Sequence, residues 1–245
     1  MASGYKAKIC GTTNLEDAQI AANAGADFFG VVLEVGFSPR SLSLDEAEPL
    51  FADPPVPAVA LVYNMERARI ETLIRKLSPF AVQFLNLADI EHIKGLKTRH
   101  PDMELWQSVH LPQVGKDVDV NHFRKTIEVY IDAGIDAIFV DTAAITGGKM
   151  KFGGTGLTSD WHMVKNLMLA VQSRVPIWLA GGINPGNVGS ALDMTDPYGI
   201  DLCSGVEAVP GKKDPLKVQA LMTTINEKSA TGEISIESSS RSRKK

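Results

Sequence analysis

Short, apolar, strand-like runs separated by stretches of helical spacing recur along almost the entire chain. The runs fall near 7–10, 27–33, 57–63, 80–85, 104–111, 137–142, 176–181 and 199–203. The runs 176–180 and 199–203 are too short for helices and too hydrophobic for loops, which fits strands covered on both faces. Between the runs the period changes to that of a helix lying on a sheet. Over 65–77, Ala68, Ile70, Leu73, Ile74 and Leu77 share one face. Leu15 to Ala24 predict another helix, with Asn14 as N-cap, Glu16 and Asp17 at its positive end and Gly25 as its stop. The segments 45–51, 89–96, 123–133, 160–171, 187–193 and 215–225 fill the remaining helical places. Strands alternating with helices over short connections predict an α/β protein with a parallel sheet and crossover helices. Eight of each is the number that closes a (β/α)8 TIM barrel. An open doubly wound sheet usually has fewer strands and a G-x-G-x-x-G turn after the first. Here the first strand runs into Cys10-Gly11-Thr12-Thr13-Asn14 instead. The expected organisation is a single barrel over 1–227. A polar tail follows over 228–245, with too little apolar area to fold and expected to be disordered.

Composition narrows the class without changing it. A chain of 245 residues can bury one large core, and barrels commonly reach this length as one domain. Hydrophobic residues at 44% and charged residues at 22% are those of a globular protein. The formal charge of −4 gives the whole molecule no electrostatic basis for binding nucleic acid. No apolar run reaches the roughly 18 residues of a membrane span. The start, Met1-Ala2-Ser3-Gly4-Tyr5-Lys6, lacks the apolar core of a signal peptide. Two cysteines, Cys10 and Cys203, make no disulfide framework, so a reducing, cytoplasmic setting is expected. Nothing in the composition bears on oligomeric state.

Two strand-to-glycine turns carry the candidate chemistry. Trp178-Leu179-Ala180 runs into Gly181-Gly182, and Gly199-Ile200-Asp201-Leu202-Cys203 runs into Ser204-Gly205. Glycines without Cβ let a ligand approach the backbone closely. Asn184-Pro185 reads as a helix start, with Asn184 as N-cap and Pro185 at the first helical position. Two such turns side by side predict a phosphate cradle of Gly181, Gly182, Ser204 and Gly205. In a barrel, the chemistry belongs at the C-terminal ends of the strands, where three further residues fall. Cys10 closes the first strand, either as a small buried hydrophobe or as a thiolate base. Asp141 closes the sixth, either capping the next loop or aimed at a ligand. Arg40, in Ser38-Pro39-Arg40, is either a surface cation or a bidentate carboxylate binder.

Taken in order, these motifs resemble the phosphoribosylanthranilate isomerase family. The resemblance runs from about residue 7 to 226. It rests on Lys8-Ile9-Cys10-Gly11-Thr12-Thr13-Asn14, Ala24-Gly25-Ala26-Asp27, Ser38-Pro39-Arg40 with Ser43, and Val140-Asp141-Thr142. Further along come Gly153-Gly154-Thr155-Gly156 with Asp160-Trp161, Leu179 to Pro185, Ser204 to Glu207 and Pro210 to Asp214. It implies a (β/α)8 enzyme of tryptophan biosynthesis that performs an Amadori rearrangement of N-(5′-phosphoribosyl)anthranilate, with neither metal nor organic cofactor. It also implies roles. Asp141 is the general acid and Cys10 the general base; Arg40 holds the anthranilate carboxylate. Gln83 and Asp201 lie against the substrate, and the paired turns hold its phosphate. The partner implied is a small phosphorylated substrate.

The chain departs from the family in two places. Where the family has Gln-Leu-His-Gly after the fourth strand, this chain has Gln83-Phe84-Leu85-Asn86. The side chain of Leu85 can neither donate nor accept a hydrogen bond. Leu157 and Ser159 also depart, ahead of Asp160-Trp161. Acid, base and anchor are retained while part of the wall is rebuilt. The alternatives are a barrel of this family that binds another phosphorylated sugar, with altered or lost catalysis, or another barrel enzyme acting on a phosphosugar. The latter normally needs a catalytic lysine or a metal cluster, and Lys8 lies within the first strand rather than at its mouth.

Overall fold

A computed structural model describes residues 4–111, 119–146, 149–152, 161–171 and 174–242. Eight strands form the wall: Lys6–Ile9 (β1), Phe28–Leu33 (β2), Ala58–Val62 (β3), Ala81–Phe84 (β4), Glu104–Leu111 (β5), Ala137–Thr146 (β6), Ile177–Leu179 (β7) and Gly199–Leu202 (β8). Each pairs in parallel with the next. The circle closes where β1 also pairs with β8, with Lys8 opposite Asp201 and Ile9 opposite Leu202. The helices are Leu15–Asn23 (α1), Leu44–Ala52 (α2), Arg67–Leu77 (α3), Ile90–Arg99 (α4), Val120–Asp132 (α5), Trp161–Val171 (α6), Val188–Thr195 (α7) and Pro215–Ser242 (α8). The architecture is the (β/α)8 barrel expected from the alternating pattern.

Strand periodicity divides the apolar residues between two cores. Ala58, Ala60 and Val62 of β3 belong to the shell between strands and helices, while Val59 and Leu61 face the barrel axis. Ile138 and Val140 of β6 likewise point outward, and Ala137 and Phe139 inward. Both faces are buried, so the runs are continuously apolar rather than alternating. The lower interior is aromatic: Phe139 stacks on Trp178 at 5.1 Å and on Trp106 at 5.1 Å, with Phe28 edge-on to both tryptophans.

Local signals set the element ends. The Asn14 side chain accepts from the Asp17 N–H at 2.8 Å, capping α1 as expected. Helix α7 starts later than the sequence suggests. Asn184 is not its N-cap: its Oδ1 accepts from the Gly186 N–H at 2.9 Å, closing a local turn, and its own N–H donates to Asn187 Oδ1 at 2.8 Å. An asparagine that turns onto the backbone two residues ahead competes with helix, so Pro185 lies in a turn and the helix begins at Val188. Helix α8 continues past residue 228. Lys228 pairs with Asp193, and the Tyr5 N–H donates to Ser229 Oγ at 3.0 Å, so both residues pack on the barrel. After β6 the backbone turns back as an antiparallel hairpin, Ala143 opposite Phe152. Residues 153–160, with Leu157 and Ser159, lie outside the described residues.

Candidate active site

The same alternation that builds the inner core fixes which strand residues reach the mouth. Residues 8 and 10 on β1 and its end, 83 on β4, 108 and 110 on β5, 141 on β6 and 201 and 203 on β8 share the inward parity of Phe139 and Trp178. One cleft at the C-terminal ends of the strands is lined by Cys10, Arg40, Gln83, Asp141, Gly181, Gly182, Asp201, Ser204 and Gly205. All nine residues singled out in the sequence therefore meet in one place. Val32, Leu61, Leu85 and Phe139 supply apolar wall, and Phe37 reaches over it from the loop after β2, edge-on to Tyr63.

Charge around Cys10 comes from residues the sequence reading did not assign. Lys8 is fully buried, its Nζ 2.8 Å from Asp201 Oδ1 and 5.2 Å from the centre of the Phe139 ring. Lys213 is buried as well, donating from Nζ to the Cys10 carbonyl and to Glu207 Oε1. Arg40 grips the same glutamate with two hydrogen bonds, from Nε at 2.7 Å and from Nη2. Three cations (Lys8, Arg40, Lys213) thus cluster with the carboxylates of Asp201 and Glu207 around Cys10.

The protonation of the two thiols follows. A hydrogen bond from Cys203 holds the Cys10 thiol below its usual value; burial opposes this, while Lys8 and Lys213 assist. The same hydrogen bond, with burial, pushes the Cys203 thiol well above its usual value. Burial lowers Lys8, yet Asp201 and Cys10 outweigh it and leave Lys8 raised and charged. Burial likewise pushes the Glu207 carboxyl up, but Arg40 and Lys213 hold it below the ordinary carboxylate value. Arg40 is therefore not a simple surface cation. Its Nε–Nη2 edge is committed to Glu207.

Elsewhere the mouth is polar and shaped by backbone. Gln83 is buried, gives Nε2 to Ser108 Oγ at 3.0 Å, and leaves Oε1 without a partner among the described residues. A buried acceptor left unmatched in a cleft suits a ligand donor. Gly181 and Gly182 both have left-handed φ, +86° and +67°, which a side chain would strain. The next turn packs hard against them: a Cβ on Gly205 would lie 2.0 Å from the Ile183 carbonyl oxygen. Ser204 and Gly205 thereby sit directly beside the β7 turn. Sequence reasoning missed Lys8, Lys213, Glu207, His110 and the pairing of Cys203. Inward parity would have flagged Lys8 and His110, which share the inward face with the aromatic core.

Comparison with known proteins agrees with this geometry. The family model for N-(5'phosphoribosyl)anthranilate (PRA) isomerase matches residues 7–224. The N-(5'-phosphoribosyl)anthranilate isomerase of Methanocella arvoryzae is 36% identical over 212 residues, 85% of this chain and 92% of that protein. The enzyme of the same name from Methanothrix thermoacetophila is 34% identical over 90% of this chain and 97% of its own. Among solved structures, the phosphoribosyl anthranilate isomerase of Thermotoga maritima superposes with a TM-score of 0.72 at 29% identity, covering 91% of this chain and 99% of that one. A phosphoribosyl anthranilate isomerase in complex with reduced 1-(o-carboxyphenylamino)-1-deoxyribulose 5-phosphate superposes with a TM-score of 0.69 at 28% identity, over 91% and 99%. A barrel whose mouth gathers these side chains, matched along nearly its whole length by such relatives, belongs to the N-(5′-phosphoribosyl)anthranilate isomerase family of intramolecular isomerases.

Proposed function

We propose that this chain catalyses the Amadori rearrangement of N-(5′-phosphoribosyl)anthranilate to 1-(2-carboxyphenylamino)-1-deoxyribulose 5-phosphate in tryptophan biosynthesis. The observation that carries the proposal is the cleft that brings Cys10, beside the buried cations Lys8 and Lys213, together with Asp141. Asp141 gives a proton to the ribose ring oxygen, and the C1–O bond breaks to leave a Schiff base. The Cys10 thiolate then removes the C2 proton, giving an enolamine that tautomerises to the ketone. Arg40 offers its remaining donors to the anthranilate carboxylate, and Gln83 and Asp201 line the ribose-facing wall. Gly181, Gly182, Ser204 and Gly205 take the phosphate, whose remote binding energy orients the reacting carbons. The relative that superposes with a bound reduced carboxyphenylamino-deoxyribulose phosphate supports this choice of ligand. Free thiols at 10 and 203, one of them the base, suit a reducing cytoplasm. No helix among the described residues is long and apolar enough to cross a membrane.

Turnover followed by the loss of anthranilate fluorescence tests the roles. Cys10→Ala and Asp141→Asn should each lower kcat by about 10²-fold or more, the range of a lost proton-transfer group. Cys10→Ala should leave the affinity for a product-like ligand nearly unchanged. Near-normal turnover in Cys10→Ala would remove the base from this scheme. Leu85, in place of the family's histidine, favours a second reading, a relative with a different phosphorylated sugar as substrate. Saturable binding of such a sugar with no turnover of phosphoribosylanthranilate by the wild-type chain would establish it.

A further inference from the structure

One imidazole at the mouth has no part in that scheme. His110 occupies the last inward position of β5, one residue before its end at Leu111, and stands in register with Asp141 on β6. Its Nε2 is 2.6 Å from the carbonyl oxygen of Leu85. A carbonyl only accepts, so Nε2 carries a hydrogen and the tautomer is fixed. In the neutral ring Nδ1 then bears a lone pair, and it lies 3.7 Å from Asp141 Oδ2. Both side chains are largely buried, with 12% and 15% of their surface exposed. A lone pair and a carboxylate brought together away from water are stable when one proton lies between them.

We propose that His110 is a positioning residue for Asp141, keeping that carboxyl supplied with the proton it donates. The proposal rests on the isomerase reading above. The one proton the pair shares passes from Nδ1 to the Asp141 carboxylate, and from that carboxyl to the ring oxygen. Carboxylate plus imidazolium becomes carboxylic acid plus neutral imidazole, and the ring recovers a proton from solvent after product leaves. The location explains the altered fourth-strand segment in its own terms. Leu85 offers no polar side chain, but its backbone carbonyl docks an imidazole that arrives from the neighbouring strand.

Steady-state kinetics on the full chain test this with three variants, each checked for an unchanged circular dichroism melt. His110→Gln retains an amide donor for the Leu85 carbonyl and has no group that titrates. It should lower kcat about tenfold or more while KM stays within about twofold, a split that lost packing alone would not give. His110→Phe, without the donor, should lower kcat at least as far and also raise KM. Wild-type kcat in His110→Gln beside a dead Asp141→Asn overturns the proposal and leaves the isomerase reading intact. An active Asp141→Asn overturns both. Should the glutamine variant fail to fold, the 15N spectrum of the wild-type ring decides. Protonation at Nε2 is expected, and a ring protonated at Nδ1 alone overturns the assignment.

Discussion

Two thiols side by side divide the acid–base work unequally. The hydrogen bond between them holds the Cys10 thiol below its usual value and, with burial, pushes the Cys203 thiol well above it. Removing the S–H donor by Cys203→Ala should therefore raise the Cys10 thiol toward its ordinary value of about 8.5. The sign is simple. A base with a depressed pKa stays active down to that pKa and is lost as pH falls through it. In the wild type the acid limb of kcat/KM should lie below the ordinary thiol range, and in Cys203→Ala it should move to higher pH. The rate of Cys10 alkylation by iodoacetamide against pH reads the same group without turnover. An alkylation profile identical in both proteins would contradict the shared-proton arrangement.

At the level of elements, the two glycine turns act as one unit because they are packed against each other. The contact of Gly205 with the Ile183 carbonyl joins the turn after β8 to the turn after β7. Gly205→Ala should wedge them apart, weakening inorganic phosphate binding by about tenfold and stability by about 1–3 kcal/mol. Isothermal titration with phosphate and a thermal melt check both, and unchanged phosphate affinity would separate the turns functionally. The turns themselves were legible in the sequence, as two apolar runs that each end in paired small residues. The helix after them was less so. Asn184-Pro185 is a good helix start by composition, and only the closure of Asn184 onto Gly186 shows why the helix waits until Val188. His110 went unread for a different reason. Glu104, Gln107, Ser108 and His110 are all polar in that strand, and nothing singles one out until the register places His110 opposite Asp141.

Across the whole molecule, the continuous apolar runs made the strand count and the barrel readable, because every strand is buried on both sides. The charge network was not readable in the same way. Arg40, Glu207 and Lys213 come together across 167 and 6 positions of chain, and Lys8 meets Asp201 across 193. No local pattern encodes such distances. They follow from the closure of β1 on β8, which the number eight suggests but does not locate. That closure has a further consequence. The wall is a ring with no first member, and Tyr5 touches Ser229 on its outside. Where the backbone is cut should then matter little, provided the cut is exposed and far from the mouth. A circular permutant that joins Ala230 to Gly4 through a short linker and opens between Pro54 and Pro55, in the turn between α2 and β3, should fold to the same secondary structure. Its turnover should stay within about tenfold of the parent, because a linker of a few residues adds only small loop-closure entropy. Insoluble or unfolded permutant would mean that the order in which the strands are made, and not only their circle, is built into this barrel.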